Sequence, residues 1–351
     1  MSPIANPNFD ANTEGITAAA AFPAFIKDRT ILITGVNRKG IGYTTAEAFA
    51  SQSPSHLIFA GRSTSKVQEC IDALSQTYPS VTYRFLPLDL SSQESVKTAA
   101  SEVLSWTDIP TIDLLVNNAA VMALPERTLT KEGIEMHLAT NHIGHFLLTN
   151  LLMPKLIAAA QNAARGSVRV VNISSLSTYV SPIRFSDLDW SKPTSEIPDS
   201  QKPNLAIMRA AELQVTEKDT YMPLAAYGSS KTANIAFSTG VNQKVFEKHG
   251  VLSVALHPGE MKSELARHLD QAWYAKMHSR SPYKTLQAGA STTLVAACDP
   301  RLAEADLGQE QGTLFLNNCQ VMKAPAYATD KEIAKKLWKV SEELVGENFT
   351  Y

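Results

Sequence analysis

The feature that most constrains the fold is the alternation of short apolar runs, rich in β-branched residues, with longer helical patterns. Most of these runs are continuously apolar rather than alternating, which is typical of strands covered on both faces. They lie at 30–34, 56–61, 81–88, 112–118, 167–175, 251–258 and 312–318, with helix-like stretches such as 95–106 and 138–161 between them. This alternation predicts an α/β fold, a doubly wound parallel sheet of about seven strands with helices on both faces.

Nothing in the composition divides the chain into separate domains. We find no internal repeat, low-complexity tract or linker-like segment, so we expect a single domain over 27–351 preceded by a loosely ordered N-terminal extension, 1–26. One polar, proline-containing segment, 185–224, interrupts the rhythm of strands and helices. A long insertion of this kind in an α/β domain predicts a lid or a pocket wall.

Charge and composition exclude several classes of partner. The formal net charge of −2 argues against nucleic acid or an anionic membrane surface as the main partner. No apolar run approaches the roughly 20 residues that span a bilayer, and the N-terminus lacks the pattern of a secretory signal. We therefore expect no membrane insertion and a cytoplasmic location. The three widely spaced cysteines, Cys70, Cys298 and Cys319, form neither a disulfide framework nor a metal pattern.

Residues suited to binding or chemistry follow five of the predicted strands directly. They are the segments 34–42, 61–62, 117–118, 174–175 and 258–259. In a doubly wound sheet, ligands bind at the carboxyl ends of the strands, where the winding reverses. The five segments are therefore predicted to surround one shared site.

The first of these segments, TGVNRKGIG, is a glycine-rich turn between a strand and a helix. Gly35, Gly40 and Gly42 permit a tight turn and close approach of the backbone to a ligand, and the helix beginning near Gly40 offers free N–H groups to an anion. No Lys-Ser or Lys-Thr follows the last glycine, which argues against a nucleotide triphosphate loop.

The end of the second strand indicates which dinucleotide is bound. A cofactor with a free ribose 2′-hydroxyl usually meets Asp or Glu there, but this chain has Gly61 followed by Arg62. A guanidinium can donate two parallel hydrogen bonds to a 2′-phosphate. Arg38 or Lys39 could flank the same phosphate from the glycine loop. These cations favour NADP(H) over NAD(H) and leave open which of the two loop residues makes the contact.

The sequence YGSSK places Tyr227 and Lys231 four residues apart, on one face of a predicted helix. An ammonium that close favours the phenolate, so we expect the pKa of Tyr227 to be lowered from about 10. Such a tyrosine could exchange a proton with a substrate near neutral pH. Ser174 and Ser175 end a predicted strand, where a hydroxyl could hydrogen-bond a substrate carbonyl, and Asn141 lies at a helix start.

Taken together, these motifs resemble those of the short-chain dehydrogenase/reductase family, from about Lys27 to the end of the chain. The likeness is strongest to the retinol-dehydrogenase and WW-domain-oxidoreductase branch, and it implies a Rossmann-type fold. The motifs are TGVNRKGIG (34–42), LDL (88–90), NNAA (117–120), NHIGHF (141–146), VNISS (171–175), YGSSK (227–231) and HPGEMKSEL (257–265). The glycine loop departs from the family pattern, with four residues instead of three between its first two glycines.

The resemblance implies four catalytic residues. Tyr227 would be the general acid in carbonyl reduction, or the base in alcohol oxidation. Lys231 would lower the pKa of Tyr227 and hold the nicotinamide ribose. Ser175, rather than Ser174, would orient the substrate oxygen, and Asn141 would position a water that links Lys231 to solvent.

The resemblance also implies a set of cofactor-binding residues, with Asp89 at the adenine, Asn118 on the adenosine side, and Met261 and Ser263 at the nicotinamide end. The full set is Gly35, Asn37, Arg38, Lys39, Gly40, Ile41, Gly42, Arg62, Asp89, Leu90, Asn118, Tyr227, Lys231, Met261 and Ser263.

The sequence therefore predicts an NADP(H)-dependent oxidoreductase, a ketoreductase, that interconverts a carbonyl and an alcohol. Its substrate is expected to be a small to medium lipophilic molecule held between 176–225 and 260–285. Two alternatives stay open: a non-redox use of the same site, as in an epimerase or cyclase, and a non-catalytic NADP(H)-sensing regulator. The resemblance also suggests a homo-oligomer formed through the helices around 141–161 and 227–248.

Overall fold

The computed structural model describes residues 3–279, 283–304 and 312–351. Within these ranges, eight strands form one sheet in the order β3-β2-β1-β4-β5-β6-β7-β8. The strands are β1 Thr30–Thr34, β2 His56–Gly61, β3 Thr82–Pro87, β4 Leu114–Asn117, β5 Arg169–Ile173, β6 Leu252–His257, β7 Leu314–Asn317 and β8 Gln320–Met322. β1 to β7 are parallel and β8 is antiparallel to β7. The predicted doubly wound Rossmann-type sheet is confirmed.

Helices cover both faces of the sheet. The α-helices of the described residues are α1 Gly15–Ala20, α2 Ile41–Ala50, α3 Thr64–Thr77, α4 Gln93–Ser105, α5 Met136–Leu138, α6 Gly144–Ala160, α7 Leu205–Ala210, α8 Pro223–Val241, α9 Glu247–His249, α10 Gln271–His278, α11 Leu286–Cys298, α12 Arg301–Glu304, α13 Ala326–Thr329 and α14 Lys331–Val345. Short 3-10 segments lie at Pro23–Phe25, Leu176–Tyr179, Thr194–Glu196, Asp199–Gln201 and Glu264–His268, and π-helical turns at Ala139–Ile143 and Asn242–Phe246.

The central strands are mainly apolar because they contribute to two cores. In β1, Ile31 and Ile33 pack into the core on the side of α2 and α11, whereas Leu32 packs into the core on the side of α4 and α6. Successive strand residues point to opposite faces, so in a strand with a core on both sides apolar residues suit both sets of positions. This explains the continuous apolar runs in the sequence.

One strand, β8, was not predicted from the sequence. It follows a two-residue turn, Asn318-Cys319, in which both residues have positive φ, 52° and 63°. Two consecutive positive φ values are characteristic of the tight turn that joins antiparallel strands, but that turn normally carries Asn-Gly or Asp-Gly. With cysteine at the second position, the turn lacks its usual sequence signature.

The expectation of a loosely ordered N-terminal extension is wrong for residues 3–26. α1 packs against α11 and α2, and Ile4, Phe22 and Ile26 are buried in the core. The amide of Ala5 also donates to a carboxylate oxygen of Asp299 at 2.7 Å. The apolar residues scattered through this segment therefore pack against helices that cover one face of the sheet, which explains why it is ordered.

The 185–224 insertion is anchored at its start by a buried ion pair. Arg184 lies 2.6 Å from Asp187, both side chains are buried, and the Arg184 guanidinium lies 4.5 Å above the ring of Trp190. Beyond this anchor the insertion runs through short helical turns to α7 and on to α8. Ile207 and Leu224 from this segment line the main cavity, and its role as a lid or pocket wall stays a prediction.

Of the two helices suggested as dimer faces, α8 is covered within the chain. In α8 every residue from Ala225 to Val241 is buried, and α14 packs along it. The C-terminal Tyr351 reaches back to α6, where its hydroxyl hydrogen-bonds the side-chain oxygen of Asn150. The sequence does not reveal this covering, because it comes from residues far along the chain.

One helical run among the described residues, Met136–Ala160, is long and apolar enough to cross a membrane by length and composition. Most of it is buried inside the fold, against the sheet and its neighbouring helices. This is the burial of a core helix.

Candidate active site

A cavity of about 1090 Å³ opens at the carboxyl ends of the parallel strands. Residues from all five predicted segments line it, and they follow β1, β2, β4, β5 and β6. Further lining comes from residues 88–90 and 119–122, from the 185–224 insertion and from residues 260–277. The sheet topology thus brings these distant segments to one place, as the sequence predicted.

The glycine loop forms one end of the cavity. Gly35 has φ +74°, and a Cβ there would lie 2.7 Å from the backbone of Ala119, so only glycine fits. The side-chain amide of Asn118 donates to the carbonyls of Thr34 and Gly35, at 2.7 and 3.1 Å. Asn118 therefore holds the loop against the end of β4.

The cations of this region fall into two groups. Lys39 and Arg62 are exposed and line the cavity, whereas Arg38 does not line it and instead lies 4.2 Å above the ring of Tyr43. The sequence analysis missed a further cation, Lys66, which lines the same end and lies 3.2 Å from a carboxylate oxygen of Glu264. Its position four residues after Arg62 is the signal that could have indicated it.

Most of the predicted cofactor-binding residues line the cavity. They are Gly35, Asn37, Lys39, Gly40, Ile41, Gly42, Arg62, Asp89, Leu90, Asn118, Tyr227, Lys231, Met261 and Ser263. Arg38 is the member of the predicted set that does not line it. Asp89 uses one carboxylate oxygen to accept from the amide and the hydroxyl of Ser91, at 3.0 and 2.7 Å, which fixes its orientation at the cavity edge.

Tyr227, Ser175 and Lys231 all line the cavity. The Ser175 side chain lies close enough to Tyr227 to favour its phenolate through hydrogen bonding. The hydroxyl oxygen of Ser175 accepts a hydrogen bond from the amide of Ser177 at 3.1 Å. The Lys231 ammonium donates to the carbonyl of Ile173 at 2.8 Å and lies 5.7 Å from the Tyr227 ring centroid. Tyr227 is 5% exposed and Lys231 1% exposed, so both are shielded from bulk water.

The two strand-end serines have different surroundings. Ser174 is buried, and its hydroxyl donates to the backbone carbonyl of Lys231 at 2.6 Å. The hydroxyl of Ser175 instead meets Tyr227. The role of Ser175 towards a substrate oxygen stays a prediction.

The expected lowering of the Tyr227 pKa is wrong for this structure. Burial raises the pKa of Tyr227 above its usual value and outweighs the opposing hydrogen bond from Ser175, while nearby Tyr274 and Glu260 raise it further. Burial also lowers the pKa of Lys231 to about 7. Both shifts favour the neutral form, since the charged form of each group loses its hydration.

Asn141 does not line the cavity. Its side-chain oxygen accepts the amide of Val121 at 2.9 Å, and its side-chain nitrogen donates to the Val121 carbonyl and the Ser230 hydroxyl at 3.0 and 2.9 Å. Asn141 thus ties the segment after β4 to the helix that carries Tyr227. Its predicted role in positioning a water stays a prediction.

The site has the features that a dinucleotide requires. α2 begins at Ile41 after Gly40, which supplies no side-chain cap, so the first amides of a ten-residue helix have no side-chain partner at the cavity. Such a helix start attracts phosphate, and Lys39, Arg62 and Lys66 add positive charge nearby. Among the described residues, no group of three or more His, Cys, Asp or Glu could hold a metal ion.

Comparison with known proteins gives the family. The family model described as short chain dehydrogenase matches residues 29–187. Oxidoreductase fscI from Fusarium equiseti is 38% identical over 251 residues, covering 72% of this chain and 94% of that protein. Mouse retinol dehydrogenase 13 is 32% identical, covering 92% of this chain and 85% of its own length.

A solved structure has a similar fold over almost the whole chain. The crystal structure of an uncharacterised protein from Mycobacterium paratuberculosis is 27% identical and superposes with a TM-score of 0.64, covering 95% of this chain and 98% of that one. The chain therefore belongs to the short-chain dehydrogenase/reductase family, near the branch of retinol dehydrogenases and WW domain-containing oxidoreductases, and is an oxidoreductase.

Proposed function

We propose that the protein is an NADP(H)-dependent reductase and dehydrogenase that interconverts a carbonyl and an alcohol on a small to medium lipophilic molecule, with Tyr227 as proton donor or acceptor. The observation that carries the proposal is that Tyr227, Ser175 and Lys231 line one cavity together with an uncapped helix start and three cations.

In the reducing direction, Tyr227 is the residue that supplies a proton to the substrate oxygen. Its burial raises its pKa, so the phenol keeps its proton until charge develops on a substrate oxygen beside it. Ser175 lies within hydrogen-bond reach of the same hydroxyl and can orient that oxygen. General acid catalysis by a positioned group contributes about 100- to 10,000-fold in rate.

Lys231 supplies the charge that makes proton transfer from Tyr227 easier. With its pKa lowered to about 7 by burial, Lys231 is partly protonated at neutral pH. An ammonium on the same helix face favours the phenolate that forms as Tyr227 gives up its proton. When bound, NADP(H) supplies or accepts the hydride, and Gly35, Arg62 and Asn118 are among the residues that would hold it.

The substrate end of the cavity supports a lipophilic substrate. Apolar side chains that line it come from before the insertion, from the insertion and from residues 260–277. They include Val180, Ile207, Leu224, Trp273 and Met277. Apolar walls with a few polar groups that fix orientation are typical of small-molecule sites. Here the orienting groups are Ser175 and Tyr227.

The proposal is tested by following NADPH absorbance with a panel of lipophilic ketones and aldehydes. We expect consumption with at least one class of carbonyl, faster with NADPH than with NADH. Tight NADPH binding without turnover of any carbonyl would favour the NADP(H)-sensing regulator. Conversion of a substrate without net consumption of NADPH would favour an epimerase or cyclase.

Cofactor preference is predicted to depend on Arg62. Replacing Arg62 with Asp should weaken NADPH binding by about 10- to 100-fold, since a charged hydrogen bond to the 2′-phosphate is lost and a repulsive charge is added. The affinity for NADH should stay the same or increase, because a carboxylate can accept a hydrogen bond from a free ribose hydroxyl. Cofactor fluorescence titrations measure both dissociation constants.

Arg38→Asp is the matched control, with the same change of charge in the same region. Because Arg38 lies over the Tyr43 ring and does not line the cavity, we expect a smaller loss of NADPH affinity than for Arg62→Asp. An equal loss, or an unchanged NADPH preference in Arg62→Asp, would contradict the assignment of Arg62 to the 2′-phosphate.

A further inference from the structure

The segment after β4 contributes directly to the cavity wall. Val121 and Met122 line the cavity, and the next residue, Ala123, has φ +51°. Residues other than glycine seldom adopt such a conformation, and it persists only where the surroundings fix it. The contacts that hold residues 121–124 therefore decide where this wall lies.

Both ends of this segment are held by side chains. Asn141 bonds the amide and the carbonyl of Val121. At the other end, the amide of Leu124 donates to Nε2 of His137 at 3.3 Å, and the Tyr221 hydroxyl donates to the Leu124 carbonyl at 2.9 Å. The strained Ala123 thus lies between two residues whose backbone groups are fully bonded.

His137 is itself fixed by a buried carboxylate. Its Nδ1 lies 2.7 Å from one oxygen of Glu135, whose other oxygen accepts the amide of Leu138 at 2.9 Å. Glu135 is 1% exposed and His137 is fully buried. Because Nε2 accepts the Leu124 amide, the ring proton must lie on Nδ1 and point to Glu135. A carboxylate that orients a histidine in this way selects its tautomer.

The same imidazole ring lies against the catalytic tyrosine. The ring centroids of His137 and Tyr227 are 6.2 Å apart in an edge-on arrangement, and the His137 ring stacks on Tyr221 at 6.4 Å. Neither Glu135 nor His137 lines the cavity. Any effect of this pair on turnover must therefore pass through Tyr227 or through residues 121–124.

We propose that Glu135 and His137 form a positioning pair that holds residues 121–124 and the Tyr227 ring in the arrangement that proton transfer requires. The inference rests on the proposed carbonyl-reductase function, because its consequence for turnover concerns the placement of Tyr227. Glu135 and His137 are positioning residues rather than catalytic ones, since neither lines the cavity.

Two substitutions of His137 separate positioning from simple packing. His137→Phe keeps an aromatic ring beside Tyr227 and Tyr221 but removes both hydrogen bonds, whereas His137→Gln retains one donor and one acceptor. For His137→Phe we expect kcat to fall by about 10- to 100-fold, as for a misplaced reacting group. The dissociation constant for NADPH should stay within about 2-fold, and His137→Gln should recover most of kcat.

Ser341→Ala is the control for a buried hydrogen bond lost elsewhere. The Ser341 hydroxyl lies 2.8 Å from Nε2 of the buried His142. His142 lies in the π-helical turn that directly follows α5, the helix that carries His137. This variant should lower the melting temperature and leave kcat unchanged. If His137→Phe is destabilised in the same way but keeps the wild-type kcat, the pair is only structural and the proposal is overturned.

Hydrogen exchange gives a readout that needs no substrate. In His137→Phe the Leu124 amide loses its acceptor, so exchange in peptides covering residues 119–124 should be at least about 10-fold faster than in the wild type, and His137→Gln should restore protection. Unchanged exchange in His137→Phe overturns the proposal. If the wild type reduces no carbonyl, the proposed function fails, and the exchange result still decides whether the pair holds residues 121–124.

Discussion

Replacing Tyr227 with Phe is expected to lower kcat by about 100- to 10,000-fold, while the dissociation constant for NADPH stays within about 2-fold. The substitution removes the hydroxyl that meets Ser175 and leaves the aromatic ring, which is 5% exposed, in place. A change confined to the proton donor should affect the reaction and spare cofactor binding. Steady-state kinetics and NADPH fluorescence titration measure the two effects separately.

Tyr83→Phe is a matched control for this prediction. The Tyr83 hydroxyl also makes hydrogen bonds, to the carbonyls of Leu74 and Tyr78, but Tyr83 lies on β3 and does not line the cavity. Its turnover should equal that of the wild type. If Tyr227→Phe retained wild-type turnover, Tyr227 could not be the proton donor, and the mechanism would have to use another group.

The fold was predictable because its signals are local. β1 and β2 have the bounds that the sequence indicated, since continuous apolar runs end abruptly at Gly35 and at Arg62. β8 was missed because it is three residues long and follows an Asn318-Cys319 turn without glycine. The packing of residues 3–26 was missed because it depends on α11, far along the chain.

The sequence predicted which segments of the chain lie together at the site, but not how individual side chains are placed there. A parallel sheet brings the carboxyl ends of its strands together whatever the details of packing, so the gathering of Gly35, Asn118 and Ser175 followed from their positions after strands. The placement of Arg38 over Tyr43, outside the cavity lining, did not follow. It depends on the path of one side chain, and adjacent cations in a loop cannot be told apart by type or spacing.

The ionisation of the site was the least predictable property. The spacing of Tyr227 and Lys231 correctly placed both on α8. From the sequence we considered only the attraction between the phenolate and the ammonium, which would lower the pKa of Tyr227. Desolvation depends on how completely the surrounding elements cover the two groups, and the sequence does not give that coverage. In the cofactor-free structure burial decides the direction of both pKa shifts.

The lowered pKa of Lys231 predicts a pH-dependent contribution to the stability of the cofactor-free protein. Burial lowers this pKa from 10.5 to about 7. Between these values the unfolded chain binds a proton that the folded protein does not, so stability rises with pH across this window. Below pH 7 Lys231 is protonated in both the folded and the unfolded state. The full free-energy cost of burying its ammonium is then present, up to about 5 kcal/mol at about 1.4 kcal/mol per pKa unit.

Lys231→Met removes this titration and keeps a side chain of similar length in the buried position. We therefore expect the wild type to gain stability relative to Lys231→Met as the pH rises from 6.5 to 9.5, by about 1 to 3 kcal/mol. Urea denaturation of both proteins without cofactor, at several pH values, gives the difference directly, because all other titrating groups are shared. Parallel stability curves would show that Lys231 has the same pKa in the folded and unfolded states and would contradict the burial argument.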